Sequence, residues 1–230
     1  ARGLVRLLGN AAEALALPSI VRLLSNAQVR KGRAYTYNEM QQLAQPQTQV
    51  DAFRDALEQL LESGAFAAGY RVACHFCSLV TWHQLAGWHG PLSCAGCQTL
   101  LQLPLTANLA FQPNPLLCEG LKSGLLSVLL LQRYLQKQID DEQIAFWHCY
   151  ILQGQDSATD LDLIMQMSSG QVLLAECKDN YSVSSQSLLA LERQLNTLQQ
   201  VGKAIGASIY FATLREEAPP EKLQHYLLQH

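Results

Sequence analysis

Two apolar runs, residues 161–167 and 171–177, are rich in Leu, Ile, Met and Val and flank the cluster Ser168-Ser169-Gly170. Such a pair predicts an antiparallel hairpin, with the glycine free to take a positive φ in the turn. A three-residue loop sets Met167 against Gln171, and counting back brings Asp162 opposite Glu176 and Asp160 opposite Lys178. A two-residue loop would move Asp162 to face Cys177 and separate the acids. Alternation then gathers Asp160, Asp162, Glu176 and Lys178 on one face and leaves Leu161, Leu163, Leu173, Ala175 and Cys177 for a core.

Elsewhere the pattern is mostly helical. Leu15, Ile20, Leu23 and Leu24 keep helical spacing, with Pro18-Ser19 able to start or restart the helix. Thr36 is placed to cap a short helix through Leu43, and Pro46 ends it. A third helix from Thr48 puts Val50, Phe53, Leu57, Leu60 and Leu61 on one face and stops at Gly64. Residues 65–73 read as a hairpin turning near Gly69. This order of three helices and a hairpin resembles a winged helix. Its third helix carries Asp51, Asp55, Glu58 and Glu62 against Arg54 alone, a face that repels phosphate, so protein docking or a structural role is expected ahead of DNA reading. Residues 103–115, with three prolines, read as a connector, and the Pro-Pro break near the C-terminus precedes a short amphipathic helix.

Cysteine spacing adds a second chemistry. Cys74-His75-Phe76-Cys77 and Cys94-Ala95-Gly96-Cys97 are two C-x-x-C knuckles with sixteen residues between them, the spacing of a four-cysteine zinc site. Gly96 is expected to let the second knuckle turn tightly. Closure by four protein ligands leaves no open position, so the zinc is expected to be structural. The total of seven cysteines is odd, and Cys118, Cys149 and Cys177 sit in apolar segments without knuckle spacing, so they read as buried thiols. His75, His83 and His89 are expected on the ribbon surface rather than as ligands.

The hairpin charges need a reason of their own. Two carboxylates on a rigid strand pair are hard ligands suited to Mg²⁺ or Mn²⁺, and a nearby lysine can steady a nucleophile or developing phosphorane charge. The pattern of Asp162, thirteen intervening residues and Glu176-x-Lys178 resembles the PD-(D/E)xK nuclease superfamily, the restriction-endonuclease-like fold. That resemblance implies Asp162 and Glu176 as metal ligands, Lys178 as the assistant to the attacking water, and Glu119, on the preceding helix, as an added acid. It also implies an α/β (α+β) core with a mixed central sheet flanked by helices, and an endonuclease acting on nucleic acid, DNA foremost, in restriction, anti-phage defence or DNA processing. The family's proline before the Asp is replaced by Leu161. Gln194 is present where some branches carry Gln, but Leu198 stands where those branches have Tyr. The contrasting reading is a non-catalytic, nuclease-like scaffold that binds other proteins.

These readings divide the chain into a helical module over 1–70, a zinc ribbon over 71–105 and a nuclease-like domain over 106–230. The 230 residues and 49% hydrophobic content suffice for real cores. A net charge of −3 argues against tight binding of nucleic acid by the whole surface, although residues 1–50 carry six Lys or Arg against two acids. Protein partners or homo-oligomers are therefore expected. No apolar run near twenty residues predicts a membrane span, and free thiols with zinc suit a reducing cytoplasm. The chain opens Ala1-Arg2-Gly3 rather than on Met, so it is expected to be an excerpt or a processed start.

Overall fold

The computed structural model describes residues 11–46, 49–87, 90–102, 108–139, 145–153, 158–179 and 185–214. His89, the N-terminal Arg2 and Arg6, and the expected C-terminal helix lie outside them. Two compact units emerge, one ending at Ser123 and the other beginning at Gly124. The first thus includes residues 108–123, which the sequence assigned to the C-terminal domain.

In the first unit, α1 (Ala12–Leu15) is followed by α2 (Pro18–Ser25), which starts on its proline and buries Ile20, Leu23 and Leu24. A 3₁₀ turn (Val29–Lys31) leads to β1 (Tyr35–Thr36) and α3 (Tyr37–Ala44). A reciprocal capping box starts α3: Glu39 N–H donates to Thr36 Oγ1 at 3.3 Å, and Thr36 N–H donates to Glu39 Oε2 at 2.7 Å. Then α4 (Val50–Glu62) buries Phe53, Ala56, Leu57 and Leu60. The sheet of this unit has the order β1-β6-β2-β3, where β2 is Phe66–Ala73, β3 Val80–Gln84 and β6 Leu109–Pro113.

Two expectations change here. Residues 65–73 do not turn back on themselves. They supply the single strand β2, paired with β3 on one side and β6 on the other. Gly69 sits mid-strand, where an added Cβ would stand 2.7 Å from the Trp82 ring and 2.3 Å from His83 O, so it is a glycine of close approach rather than of a turn. Part of the proline-rich connector is likewise strand β6. The cysteine segment is consequently an excursion between two neighbouring strands, β2 and β6. It contains the short pair β4 (Leu92–Ser93) and β5 (Leu100–Leu101). The unit closes with α5 (Pro115–Lys122), capped by the Asn114 side chain, which accepts from Leu116 N–H at 2.9 Å.

The second unit runs α6 (Leu125–Gln138), β7 (Ala145–Gln153), β8 (Ala158–Gln166), β9 (Val172–Lys178), α7 (Ser185–Ile205) and β10 (Ser208–Thr213). Its sheet is mixed, in the order β10-β9-β8-β7, with β7, β8 and β9 antiparallel and β10 parallel to β9. The parallel step requires a crossover, which α7 supplies. The hairpin turn has three residues: Met167 N–H donates to Gln171 O and Gly170 N–H to Met167 O, both at 2.9 Å, with Gly170 at φ 83°. The expected register follows, with Leu163 opposite Ala175 and Gln166 opposite Val172. Leu161 departs from expectation. It clusters with Leu174 and Leu198, beyond the point at Leu163 where the β8–β9 ladder ends, while β8 stays paired with β7.

Among the described residues no single helix is long and apolar enough to cross a membrane.

Candidate functional site

Where the β8–β9 ladder ends, a side chain replaces the backbone. Cys177 N–H donates to Asp162 Oδ2 at 2.7 Å, so the carboxylate occupies the place a strand carbonyl would take. Glu176, one position before, is fully buried. Its Oε1 touches Lys178 Nζ, yet neither carboxylate oxygen has a well-directed hydrogen bond among the described residues. The two-residue step from Glu176 to Lys178 puts both side chains on one face of β9. Asp160 lies at the exposed start of the same stretch and accepts from Gln194 Nε2 of α7 at 3.2 Å.

Burial sets the electrostatics of this corner. It pushes the Glu176 carboxyl up to about 7; the Lys178 contact opposes the shift and the charge of Asp162 adds to it. Asp162 is also raised, again chiefly by burial, with the Cys177 N–H and Lys178 pulling the other way. For Lys178 burial disfavours the charge, but its contact with Glu176 and the nearby acids win, and its pKa rises. A buried carboxylate lacking hydrogen bonds is costly unless a cation compensates it. Lys178 supplies one such charge for two acids.

Glu176 and Asp162 are hard oxygen donors of the kind Mg²⁺ or Mn²⁺ takes, and Glu176 Oε2 has no hydrogen bond among the described residues. Among the described residues Asp160, Asp162 and Glu176 do not form a set of three donors close enough to enclose an ion. An ion held by Glu176 and the half-buried Asp162 would complete its shell with water or phosphate oxygens, the usual arrangement for magnesium.

Glu119 belongs to the other unit. It lies on α5 in the first unit, where Lys122 holds its carboxylate at 2.7 Å. The helix preceding the strands within the second unit is α6, and its residues include no acid. Sequence reasoning passed over Asp179, which accepts from Ser127 N–H at 2.9 Å and so caps the α6 N-terminus. A carboxylate directly after Lys178 was the available signal, but its partner lies 52 residues away.

The four cysteines are gathered as the spacing predicts. The Sγ atoms of Cys74, Cys77, Cys94 and Cys97 all lie within 4.8 Å of one another, with Cys74–Cys97 and Cys77–Cys94 at 3.5 Å. A zinc–sulfur bond of about 2.3 Å in a tetrahedron requires sulfurs about 3.8 Å apart, so the set fits zinc. Both knuckles share one construction. Cys74 and Cys94 N–H groups donate to Leu79 O and Thr99 O, and Ser78 and Gln98 N–H groups donate back to Cys74 O and Cys94 O, all at 2.9 Å. The left-handed residues are Ser78 and Gln98, at φ 60° and 62°, rather than Gly96. Gly96 is needed for space instead: Leu79 Cδ2 lies 3.0 Å from where its Cβ would stand. His75 and His83 stand outside the cysteine set, His83 Nε2 lying 2.8 Å from Thr81 Oγ1.

No protein-family model matches this chain, and no curated protein matches it.

Proposed function

We propose that the second unit is a metal-dependent phosphodiester hydrolase of restriction-endonuclease-like type. The observation that carries this reading is Glu176, fully buried near Asp162, with Oε1 against the Lys178 ammonium and Oε2 without a hydrogen bond among the described residues. The element order supports it: a helix, three antiparallel strands, a crossover helix and a strand parallel to the third.

Asp162 and Glu176 would hold Mg²⁺ or Mn²⁺, which when bound polarises a phosphate and lowers the pKa of an attacking water. The chain's own residues supply the rest. Cys177 N–H fixes one Asp162 oxygen and so aims the other. Lys178 neutralises one of the two acids in the resting state and is positioned to offer its ammonium to the anionic transition state. Gln194 restrains Asp160 at the entrance. DNA is the substrate implied by the family resemblance, in restriction, defence or DNA processing within a larger assembly.

The first unit reads as a winged-helix-like module. Its short strand β1 pairs with the second of the two long strands, in the order β1-β6-β2, and the cysteine ribbon is carried where the wing loop would be. Arg54, the one cation of α4, is engaged by Asp51 at 3.2 Å and Asp55 at 3.6 Å. That face offers duplex DNA nothing, which favours protein docking for this module.

Cleavage of plasmid, linear duplex, single strands and RNA with Mg²⁺, Mn²⁺ or EDTA tests the reading. The expected result is metal-dependent cleavage lost by two or more orders of magnitude in both Glu176→Ala and Lys178→Ala. Activity that persists in EDTA, or is indifferent to both substitutions, removes this site from the chemistry.

A further inference from the structure

The four-cysteine set is not symmetric, although its two knuckles share one construction. Cys74 and Cys94 are buried, Cys97 is partly covered and Cys77 is exposed. His75 and Phe76 beside it are exposed as well, so the first knuckle meets solvent at Cys77. Hydrogen bonds divide the sulfurs in the same way. Cys94 Sγ accepts from the amides of Gly96, at 3.4 Å, and of Cys97. Cys97 Sγ accepts from the Thr99 amide and has Thr99 Oγ1 at 3.2 Å. In the first knuckle Leu79 stands where Thr99 stands in the second, so Cys77 receives an amide from that position but no hydroxyl.

A bound metal ion keeps all four thiolates deprotonated, so exposure and hydrogen bonding, rather than acidity, rank their reactivity. A hydrogen bond donated to a thiolate stabilises its charge and lowers its nucleophilicity. Zinc held by four thiolates carries an excess of two negative charges, and residues 74–101 have no Lys or Arg to offset them. The sulfurs therefore stay electron-rich, and Cys77 is the one that solvent reaches. The other described cysteines, Cys118 and Cys177, are buried.

We propose that Cys77 is an oxidation site, the sulfur of the zinc-loaded ribbon that reacts first with hydrogen peroxide, and that its oxidation frees the metal. The Cys77 thiolate gives an electron pair to one peroxide oxygen. An S–OH bond forms, the O–O bond breaks, and the departing hydroxide takes a proton to become water, leaving Cys77 as the sulfenic acid. Cys94, whose Sγ lies 3.5 Å away, then attacks that sulfur, forms the Cys77–Cys94 disulfide and expels a second hydroxide, which is protonated to water. The two thiolates give up two electrons, and peroxide is reduced to two waters. Two of the four donors are lost, and the ribbon, whose fold depends on the metal, opens.

Treating the zinc-loaded full chain with hydrogen peroxide up to about 1 mM tests this, with zinc release followed by a chromophoric chelator and each cysteine mapped by mass spectrometry after trapping. The expected first product is the Cys77–Cys94 disulfide, formed in step with release of about one zinc per chain and before Cys118 or Cys177 reacts. Dithiothreitol and added zinc should reverse it. Thr99→Val leaves all four ligands in place and is expected to raise oxidation at Cys97 at least about threefold, with the rate at Cys77 little changed. The proposal is overturned by a first product that lacks Cys77, by zinc retained after Cys77 is oxidised, by a ribbon that resists peroxide at this concentration, or by a chain that takes up no zinc. A Thr99→Val chain whose Cys97 reacts as in wild type overturns it too.

Discussion

A carboxyl group that loses its water on folding resists ionising until something replaces that water, and Glu176 is in that position. Its pKa lies near 7 in the folded chain against an ordinary 4.5. Because the folded value is raised, its contribution to stability is complete below about pH 4.5 and is lost as pH rises through 7. Asp162, also raised, acts in the same direction. At about 1.4 kcal/mol per unit, the metal-free chain should lose on the order of 3 kcal/mol between pH 4.5 and 8 from Glu176 alone. Denaturant titrations at several pH values measure this. Glu176→Gln should remove most of the loss, and Mg²⁺ or Mn²⁺ should restore stability to wild type at pH 8. A metal-free chain whose stability is flat across this range would be incompatible with a buried Glu176 whose pKa is raised to about 7.

Elements show how far the chain can be read locally. The hairpin register was legible because two apolar runs and Gly170 leave little choice of loop. The counted register holds as far as Leu163 opposite Ala175, one pair short of Asp162 and Glu176. Gly69 was misread as a turn because a glycine within an apolar run signals either a turn or a close approach. The ring that settles the matter, Trp82, belongs to another strand. β6 was hidden among prolines for the same kind of reason: its partners, Phe66–Tyr70 and Tyr35–Thr36, lie some 40 and 75 residues upstream. Within the site, Gln194 and Asp179 were visible as residues but not as partners of Asp160 and Ser127, since those contacts join separate elements. Two outcomes follow at this scale. Gly69→Ala forces a Cβ against a backbone oxygen and should cost about 1–3 kcal/mol, read as a fall in melting temperature. The ribbon core consists of Val72, Cys74, Leu92, Cys94 and Leu101, too little to fold unaided. Chelation, or Cys74→Ser, should therefore abolish stoichiometric zinc and collapse the chemical-shift dispersion of residues 74–101. A ribbon spectrum indifferent to chelator would show that zinc is not structural.

Across the whole molecule the two candidate metal centres fall in different units and use different donors, thiolates in the first and carboxylates in the second. Soft and hard ligands separate the metals they hold, so zinc and magnesium or manganese can be loaded independently. The acidic face of α4 and a ribbon without Lys or Arg over residues 74–101 leave the first unit poorly suited to bind duplex by itself, which is why a cleavage assay depends on presenting the right substrate and partners. Cation binding depends on neither. The most direct test is therefore Mn²⁺ binding to the zinc-loaded chain at pH 8, followed by electron paramagnetic resonance. One manganese site per chain is predicted, lost in Glu176→Gln and weakened at least about tenfold in Asp162→Asn, with zinc content unchanged in both. Absence of that site, or a site untouched by both substitutions, would contradict the carboxylate centre and with it the hydrolase reading.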